Sequence, residues 1–224
     1  EIRLSLVGSE MCIRDSPVTA QDRLRAFFGV EPPGEAVPPQ TWPGYFAPFV
    51  GRDRDRVEFA RRADAGLFGL IPSWAKELAF GRRTYNARSE TVHEKPSFRD
   101  AWRRGQRCIV PAEAIYEPNW ESGRAVRWRI GRADGVPMGI AGLCNVWRAP
   151  DGRSVPSFTM LTLNADEHPL MRRFHKPGDE KRSVVVLDEA DYDAWLECPT
   201  DRQRDFLLPF PAERLIAEPA PLPR

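Results

Sequence analysis

The chain has 224 residues, of which 42% are hydrophobic and 29% charged, and its formal net charge is +1. This length allows one large domain or at most two small ones. A net charge this close to neutral does not by itself indicate a polyanionic partner. No apolar run approaches the roughly 18 residues that a membrane span needs, and no signal-peptide core stands out, so we expect a cytoplasmic protein with no membrane partner.

The cysteines do not form a recognisable metal or disulfide pattern. They are Cys12, Cys108, Cys144 and Cys198, and no two of them have the Cys-x-x-Cys spacing. This argues against a zinc module and against a small disulfide framework. We therefore expect reduced thiols and no metal site.

Basic residues are grouped locally although the net charge is small. The groups lie at residues 52–56, 82–88, 103–107 and 172–176. A solvated surface is the simpler interpretation of any one group, and a binding surface is the alternative.

The first predicted element is a short helix over residues 19–28. Thr19 can cap this helix and Gly29 ends it. A proline-rich connector follows over residues 30–45. We expect the connector to run extended over the surface rather than to separate two domains, because aromatic residues continue through it.

Strand signals dominate from Cys108 onward. The β-rich runs are CIVPAEAIY at 108–116, VRWRI at 126–130, MGIAGLCNVW at 138–147, SFTMLTL at 157–163 and SVVVL at 183–187. Turn pairs such as Asp134-Gly135 and Asp151-Gly152 separate them.

Two helical patterns interrupt the strands, at residues 97–105 and 188–198, and Ser97 can cap the first of them while Gly105 stops it. Several strands with few helices between them predict an α+β fold, in which helices pack outside one mainly antiparallel, partly closed sheet. Residues 199–224 are proline-rich, and we expect them to form a tail that lies on the surface or is free.

Asn86, Arg88 and Glu90 alternate in the segment RTYNARSETV, so they project to one side if this segment is extended. Such a row lines a groove, or it is the polar face of an edge strand in water. The spacing does not distinguish these two interpretations.

Glu117 and His175 are the other polar residues that stand beside apolar strands. Glu117 ends an otherwise apolar run, where a buried carboxylate is costly unless a partner pairs with it or uses its proton. His175 precedes the strand-like run SVVVL, and histidine exchanges protons near neutral pH. A solvent-exposed strand end and a surface histidine are the alternatives.

Five segments in this order resemble the SOS response-associated peptidase (SRAP) family, whose members process abasic sites in DNA. They are GLIPSWAKE (69–77), YNARSET (85–91), RCIVPAEAIYE (107–117), IAGLCNVW (140–147) and FHKPGDEKRSVVVL (174–187). The resemblance covers residues 17–198. It implies a single domain with a mainly antiparallel, barrel-like core and flanking helices, which binds single-stranded DNA in a basic groove.

The resemblance also implies a covalent chemistry. Family members begin with Met-Cys, and the cysteine that becomes residue one links to an abasic site. The α-amine attacks the aldehyde of the opened sugar to give an imine, and the thiol closes a five-membered thiazolidine. An α-amine has a pKa of about 8, so a useful neutral fraction exists at physiological pH. Autoproteolysis and a lyase activity are the implied enzyme activities, and no cofactor is expected.

Specific residues acquire roles from the same resemblance. Cys12 is the candidate nucleophile, Asn86 positions its amine, Glu117 holds or protonates the opened sugar, and His175 acts as acid and base. The implied DNA-binding residues are Arg88 on a phosphate, Trp74 stacked on a base, Ser89 and Thr162. Trp74 as a core aromatic is the alternative. We expect a monomer that is cytoplasmic, and nucleoid-associated when bound to DNA.

The start of the chain departs from the family pattern Met-Cys-Gly-Arg-Phe. Here Met11-Cys12 is followed by Ile-Arg-Asp, and ten residues precede it. Initiation at Met11 and self-cleavage before Cys12 are two ways to expose the cysteine. A third interpretation takes residues 1–16 as a non-family stretch, such as translated assembly read-through, in which the Met-Cys pair is coincidental.

Two further function classes stay open at this point. The first is a non-covalent module that binds single-stranded DNA, which is what the chain becomes if its N-terminal cysteine is absent or blocked. The second is a conventional cysteine protease that pairs Cys12 or Cys108 with His175, although no local motif supports that pairing.

Overall fold

The computed structural model describes residues 16–18, 20–34, 38 and 41–221. The strands are β1 (Ser16–Pro17), β2 (Phe46–Arg52), β3 (Arg61–Phe68), β4 (Asn86–Arg88), β5 (Arg107–Asn119), β6 (Val126–Arg132), β7 (Met138–Arg148), β8 (Ser154–Asn164), β9 (Arg182–Val184), β10 (Val186–Leu187) and β11 (Leu215–Pro219). The α-helices are α1 (Gln21–Arg23), which continues as a π-helical turn over Leu24–Phe28, α2 (Arg99–Arg103) and α3 (Tyr192–Glu197). Short 3-10 helices lie at Leu78–Arg83, Met171–Arg173, Glu189–Asp191, Gln203–Phe206 and Ala212–Arg214.

The centre of the sheet is a closed barrel in the order β7-β8-β3-β2-β5. The ring closes because β5 pairs with β7 as well as with β2. Most neighbours are antiparallel, while β8 pairs in parallel with β3 and with β4. Closure removes the free edges that an open sheet of these strands exposes. This architecture confirms the predicted α+β fold with a barrel-like core.

Consecutive residues of the barrel strands enter two separate cores. Val110, on β5, packs inside the barrel with Phe158 and Met160. Its neighbour Ile109 packs outside, in the layer that holds Trp195. Because both faces of β5 are covered, the strand reads as a continuous apolar run instead of an alternating one.

The outer core is where the helices attach to the barrel. The rings of Phe28 and Tyr192 stack with their centroids 5.5 Å apart. The indole Nε1 of Trp195 donates to the backbone oxygen of Cys108 at 2.9 Å. These contacts hold the helical turn after α1, and α3, against the barrel wall.

The predicted strands at 108–116, 126–130, 138–147 and 157–163 are confirmed as β5 to β8. The fifth run is divided into β9 and β10. Three strands were not predicted: β2 and β3, which pair with each other, and β11, which pairs with β6 within the proline-rich end.

Both of the first two predicted helices end as expected, at glycines with a positive φ: 66° at Gly29 and 58° at Gly105. The cap predicted at Ser97 is wrong, because α2 begins at Arg99 and Phe98 occupies the N-cap without a side-chain hydrogen bond. Thr19 lies outside the described residues. Within the described ranges, no helix has the length and apolar character needed to cross a membrane.

Candidate active site at one end of the barrel

Glu117 and His175 form a buried pair at the C-terminal end of β5. Glu117 is 2% exposed and His175 is 7% exposed. Nδ1 of His175 lies 3.5 Å from Oε2 of Glu117. The structure thus brings together two residues that the sequence singled out separately, and both solvent-exposed alternatives are wrong.

The backbone around His175 is held in an uncommon conformation. His175 has a φ of 66°, and it is the only non-glycine residue in the described part of the chain with a positive φ. Its N–H donates to the carbonyl of Pro118 at 3.0 Å, and the preceding Phe174 forms a bridge with Asn119. A left-handed residue costs roughly 1–2 kcal/mol, so these contacts to the end of β5 are needed to keep the imidazole beside Glu117.

The hydrogen bonds assign the protons of this pair. Nε2 of His175 lies 3.0 Å from the carbonyl oxygen of Arg182. A carbonyl only accepts, so Nε2 carries the proton and Nδ1 faces Glu117. Burial lowers the pKa of His175, although the bond to Arg182 opposes this effect. In the neutral imidazole the Nδ1 lone pair therefore points at a carboxyl group, and the two groups can pass one proton between them.

Arg182 anchors the loop behind His175. Its side chain is 5% exposed and donates to both oxygens of Glu90 at 2.9 Å. It also donates to Glu180 at 2.7 Å, and to the carbonyl and hydroxyl oxygens of Thr162 at 2.9 and 3.0 Å. This hydrogen-bond network connects β9 to β8 and to the segment that follows β4.

Asn86 lies on β4 opposite Met160 of β8. Its Oδ1 and Nδ2 are both buried, and neither has a hydrogen-bond partner among the described residues. A buried amide without partners costs about 1–3 kcal/mol for each unsatisfied group. Such an amide is available to bind a group that reaches it from elsewhere.

The predicted DNA-binding residues divide into two exposed and two buried ones. The side chain of Arg88 is 60% exposed and forms an ion pair with Glu180 at 2.7 Å. Trp74 is 50% exposed, which rules out the interpretation of Trp74 as a core aromatic. Ser89 and Thr162 are only 5% and 1% exposed, and the Ser89 N–H donates to the Thr162 carbonyl.

An open cleft lies beside the pair. Its volume is about 720 Å³, and His175 lines it together with Trp120, Arg172 and Lys181. The Lys181 ammonium donates to the backbone oxygen of His175 at 3.3 Å. The basic group predicted at 172–176 thus borders the candidate active site.

His168 shows the contrast with a structural histidine. It is also buried, at 8% exposed, but its Nε2 lies 2.8 Å from the Phe210 carbonyl. Its Nδ1 accepts from the N–H groups of Leu170 and Met171 at 3.2 and 3.0 Å. Both ring nitrogens are occupied by backbone groups, so His168 has no atom left for proton transfer.

The pairing of Cys108 with His175 is wrong. Cys108 is completely buried, and burial raises the pKa of its thiol well above the ordinary value. The ring nitrogens of His175 face Arg182 and Glu117 instead. Cys12 lies outside the described residues, and within those residues no group of His, Cys, Asp and Glu side chains could hold a metal ion.

Arg182 was not among the predicted site residues. It belongs to the block HKPGDEKR, one of the most specific parts of the family resemblance, but the pattern gave no reason to bury an arginine there. The available signal was its position directly before an apolar run, with Glu180 two residues earlier.

The chain is similar to several known proteins. The curated relatives include the abasic site processing proteins YoqW and YoaM of Bacillus subtilis, which are 34% identical over 141 residues and 32% identical over 155 residues. These alignments cover 62% and 67% of this chain, which spans only 59% and 64% of the two relatives. A crystal structure of a Bordetella bronchiseptica protein superimposes with a TM-score of 0.87 and 45% identity, and covers 94% of this chain and 100% of that one.

The family model described as SOS response associated peptidase matches residues 11–221, so its match begins at Met11, directly before Cys12. The match includes all the strands of the barrel together with Asn86, Glu117 and His175. The chain therefore belongs to the SOS response associated peptidase family.

Proposed function

We propose that this protein processes abasic sites in single-stranded DNA by forming a thiazolidine with Cys12 as its N-terminal residue. The observation that carries the proposal is the buried pair of Glu117 and His175 at the end of β5, in which Nδ1 of the imidazole lies 3.5 Å from Oε2 of the carboxyl group. The relatives named abasic site processing proteins support the same substrate.

The direction of β1 supports Cys12 as the residue that reaches this pair. β1 runs antiparallel to β5, and Ser16 is opposite Ala114. Moving toward the N-terminus from Ser16 therefore leads along β5 toward Glu117. Cys12 is four residues before Ser16, and four residues span at most about 14 Å. This reach is enough to place Cys12 beside Glu117.

The reaction requires a free α-amine. Its nitrogen attacks the aldehyde carbon of the opened sugar, and the hydroxyl group that forms leaves as water to give an iminium. The cysteine Sγ then adds to the same carbon and closes a ring of five atoms. The balance is one aldehyde, one amine and one thiol giving one thiazolidine and one water. An amide nitrogen cannot form the iminium, so residues 1–11 must be absent or removed before the reaction.

The three site residues supply the proton transfers and the positioning that these reaction steps need. Glu117 and His175 donate a proton to the departing hydroxyl and accept the proton that the amine releases. Asn86 accepts a hydrogen bond from the α-amine through its buried Oδ1, which directs the nitrogen lone pair to the aldehyde. The same residues would assist hydrolysis of the bond before Cys12, the self-cleavage that exposes the cysteine.

Exposed arginines and one exposed aromatic ring on this chain suit a single strand. Arg88 and Arg172 offer guanidinium groups for phosphates. Trp74 has an exposed ring for stacking, and a hydrogen bond from its Nε1 to the Pro96 carbonyl at 3.3 Å fixes its orientation. A single strand bound by one protein monomer at these residues would place a lesion over the cleft beside His175.

Intact mass spectrometry tests the proposal. A chain that begins at Cys12 is incubated with an oligonucleotide that carries one abasic site, and we expect a mass gain equal to the oligonucleotide less one water. The Cys12→Ser variant keeps the amine but lacks the thiol, so it should give only an imine that borohydride traps. A tetrahydrofuran analogue of the lesion has no aldehyde and serves as the matched substrate control.

One result would contradict the proposal and favour a non-covalent single-strand binding module. In that result, abasic and intact strands bind equally well and no adduct survives denaturation, although mass spectrometry confirms that the chain begins at Cys12.

A further inference from the structure

A second cleft lies at the opposite end of the barrel from Glu117. Its volume is about 760 Å³, and it is formed by the ends of β2 and β3, the turn before β5, the middle of β7 and the segment after α3. Along β5 the cleft and Glu117 are separated by about ten residues, or roughly 33 Å of extended strand. The arginines that line this cleft are Arg52, Arg54, Arg56, Arg62, Arg104 and Arg107.

Among the described residues, Arg107 is a buried cation without a carboxylate partner. It is 6% exposed, and its donors reach the Gln203 side chain at 3.2 Å and the backbone oxygen of Cys198. Its Nε is buried and has no hydrogen-bond partner among the described residues. A buried guanidinium normally has an anionic counter-charge, because removing the cation from water is costly. At Arg107 the hydrogen-bond acceptors are neutral, the guanidinium lies 5.6 Å from the centroid of the Trp195 ring, and one N–H has no acceptor among the described residues.

The other arginines of this cleft are only partly neutralised. Arg52 pairs with Glu197 at 2.9 Å. Arg62 is paired with carboxylates of the β2–β3 hairpin, including Asp55 at 2.6 Å. By contrast, within the described ranges no carboxylate forms an ion pair with the exposed Arg54 or Arg104. The cleft therefore has a surplus of positive charge in a protein whose net charge is only +1.

We propose that this second cleft is a binding site for phosphate groups, with Arg54 and Arg104 at its exposed rim and Arg107 at its buried wall. Phosphate oxygens accept the parallel N–H donors of a guanidinium, and arginine is the side chain best matched to them. The volume lies within the range of pockets that hold a nucleotide-sized ligand. The ligand is a phosphate mono- or diester, either free in solution or in the backbone of a nucleic acid strand.

The composition of the walls favours the phosphate over the base of such a ligand. Phe49 is the aromatic residue among the cleft-lining residues, and it is only 5% exposed because it packs inside the barrel. No exposed aromatic ring in the lining is available for base stacking. Recognition here is therefore expected to be insensitive to base sequence and sensitive to salt.

Titration calorimetry with two probes distinguishes the sources of phosphate. The probes are inorganic pyrophosphate and an intact single-stranded oligonucleotide that has no abasic site. We expect Arg54→Glu and Arg104→Glu each to weaken binding of at least one probe by about tenfold or more, the loss of one charge-assisted hydrogen bond. Arg153→Glu is the matched control, since Arg153 is exposed and lies outside both clefts.

Each pattern of results has a defined meaning. Pyrophosphate binding that both variants lose supports a free phosphate ligand. Oligonucleotide binding that both variants weaken, without pyrophosphate binding, supports a nucleic acid backbone. The proposal is overturned if neither probe binds, or if Arg54→Glu and Arg104→Glu behave like Arg153→Glu toward both probes.

A spectroscopic readout places the ligand directly. The Nε–H resonance of Arg107 should shift when the binding probe is added, and it should not shift in Arg104→Glu at the same concentration. This site does not depend on the abasic-site chemistry, because a Glu117→Gln variant, in which adduct formation is slowed, should retain it. Failure of one proposal is thereby distinguishable from failure of the other.

Discussion

Replacement of Arg182 by methionine tests whether the buried arginine holds the active-site end of the barrel together. Methionine keeps the length and much of the apolar volume of the side chain, but it removes five charge-assisted or polar hydrogen bonds to Glu90, Glu180 and Thr162. The variant therefore changes the polar network with little change in packing.

The expected loss follows from the surroundings of each partner. Breaking a buried ion pair costs about 3–5 kcal/mol when the remaining charge stays dry. Here the side chains of Glu90 and Glu180 are 46% and 34% exposed, so both carboxylates regain water. Thr162 is 1% exposed, and its carbonyl keeps the bond from Ser89. We expect a loss of about 3 kcal/mol in the free energy of unfolding, at the low end of the range.

Urea unfolding followed by tryptophan fluorescence measures this loss, and thermal unfolding should show a midpoint lower by about 6–12 °C. Arg182→Lys keeps the charge without the planar fork and should be intermediate. The exposed Arg153→Met, which removes an ion pair with Asp151, should leave the midpoint unchanged. An Arg182→Met protein as stable as Arg153→Met would refute the reasoning.

Three further predictions concern the site and the chain that leads to it. Glu117→Gln should slow adduct formation by about a hundredfold or more without weakening binding of an intact strand; mass spectrometry over time measures the rate, and a change below about threefold would speak against proton transfer by Glu117. The pKa of His175, measured by NMR titration, should lie below 6.5 because of burial. The unfolded chain then binds that proton at a higher pH than the folded chain. The contribution of His175 to the free energy of unfolding is therefore full above about pH 6.5 and is lost as the pH drops through the folded pKa. His175→Gln should lack this pH dependence. Gly69→Ala should lower the free energy of unfolding by more than about 3 kcal/mol, since its Cβ would lie 1.9 Å from the Gly81 oxygen at a φ of 133°. Gly152→Ala, with a φ of 86° and no described atom within 4 Å, should lower it by only about 1 kcal/mol. Equal losses in the two unfolding experiments would argue against the backbone contact.

The predicted strands between residues 108 and 163 were recognisable because their apolar runs and turn residues are local features. β2 and β3 were not, because Pro48, Gly51 and Gly66 lower their strand propensity and arginines occupy their ends. Their pairing across seven residues of register stabilises them, and a tertiary partner is not visible in a local window.

The candidate site was predictable in its members but not in its arrangement. Glu117 and His175 each stood beside an apolar run, and Asn86 was one of an alternating row. Whether these side chains are buried was open in the sequence. The bridge between Asn119 and Phe174 decides it for the first two, because it joins the end of β5 to a loop more than fifty residues further along the chain.

By itself, the sequence determined the family, the α+β class, the central strands and the residue types available for proton transfer and covalent attack, because these depend on composition and on neighbours in the chain. Only the tertiary structure decided which charges are buried and which are compensated. It pairs His175 with Glu117, surrounds Arg182 with carboxylates and, within the described part of the chain, leaves Arg107 without one. The physical reason is that the cost of burying a charged or polar group depends on partners supplied by distant segments, and the closure of the barrel brings those segments together.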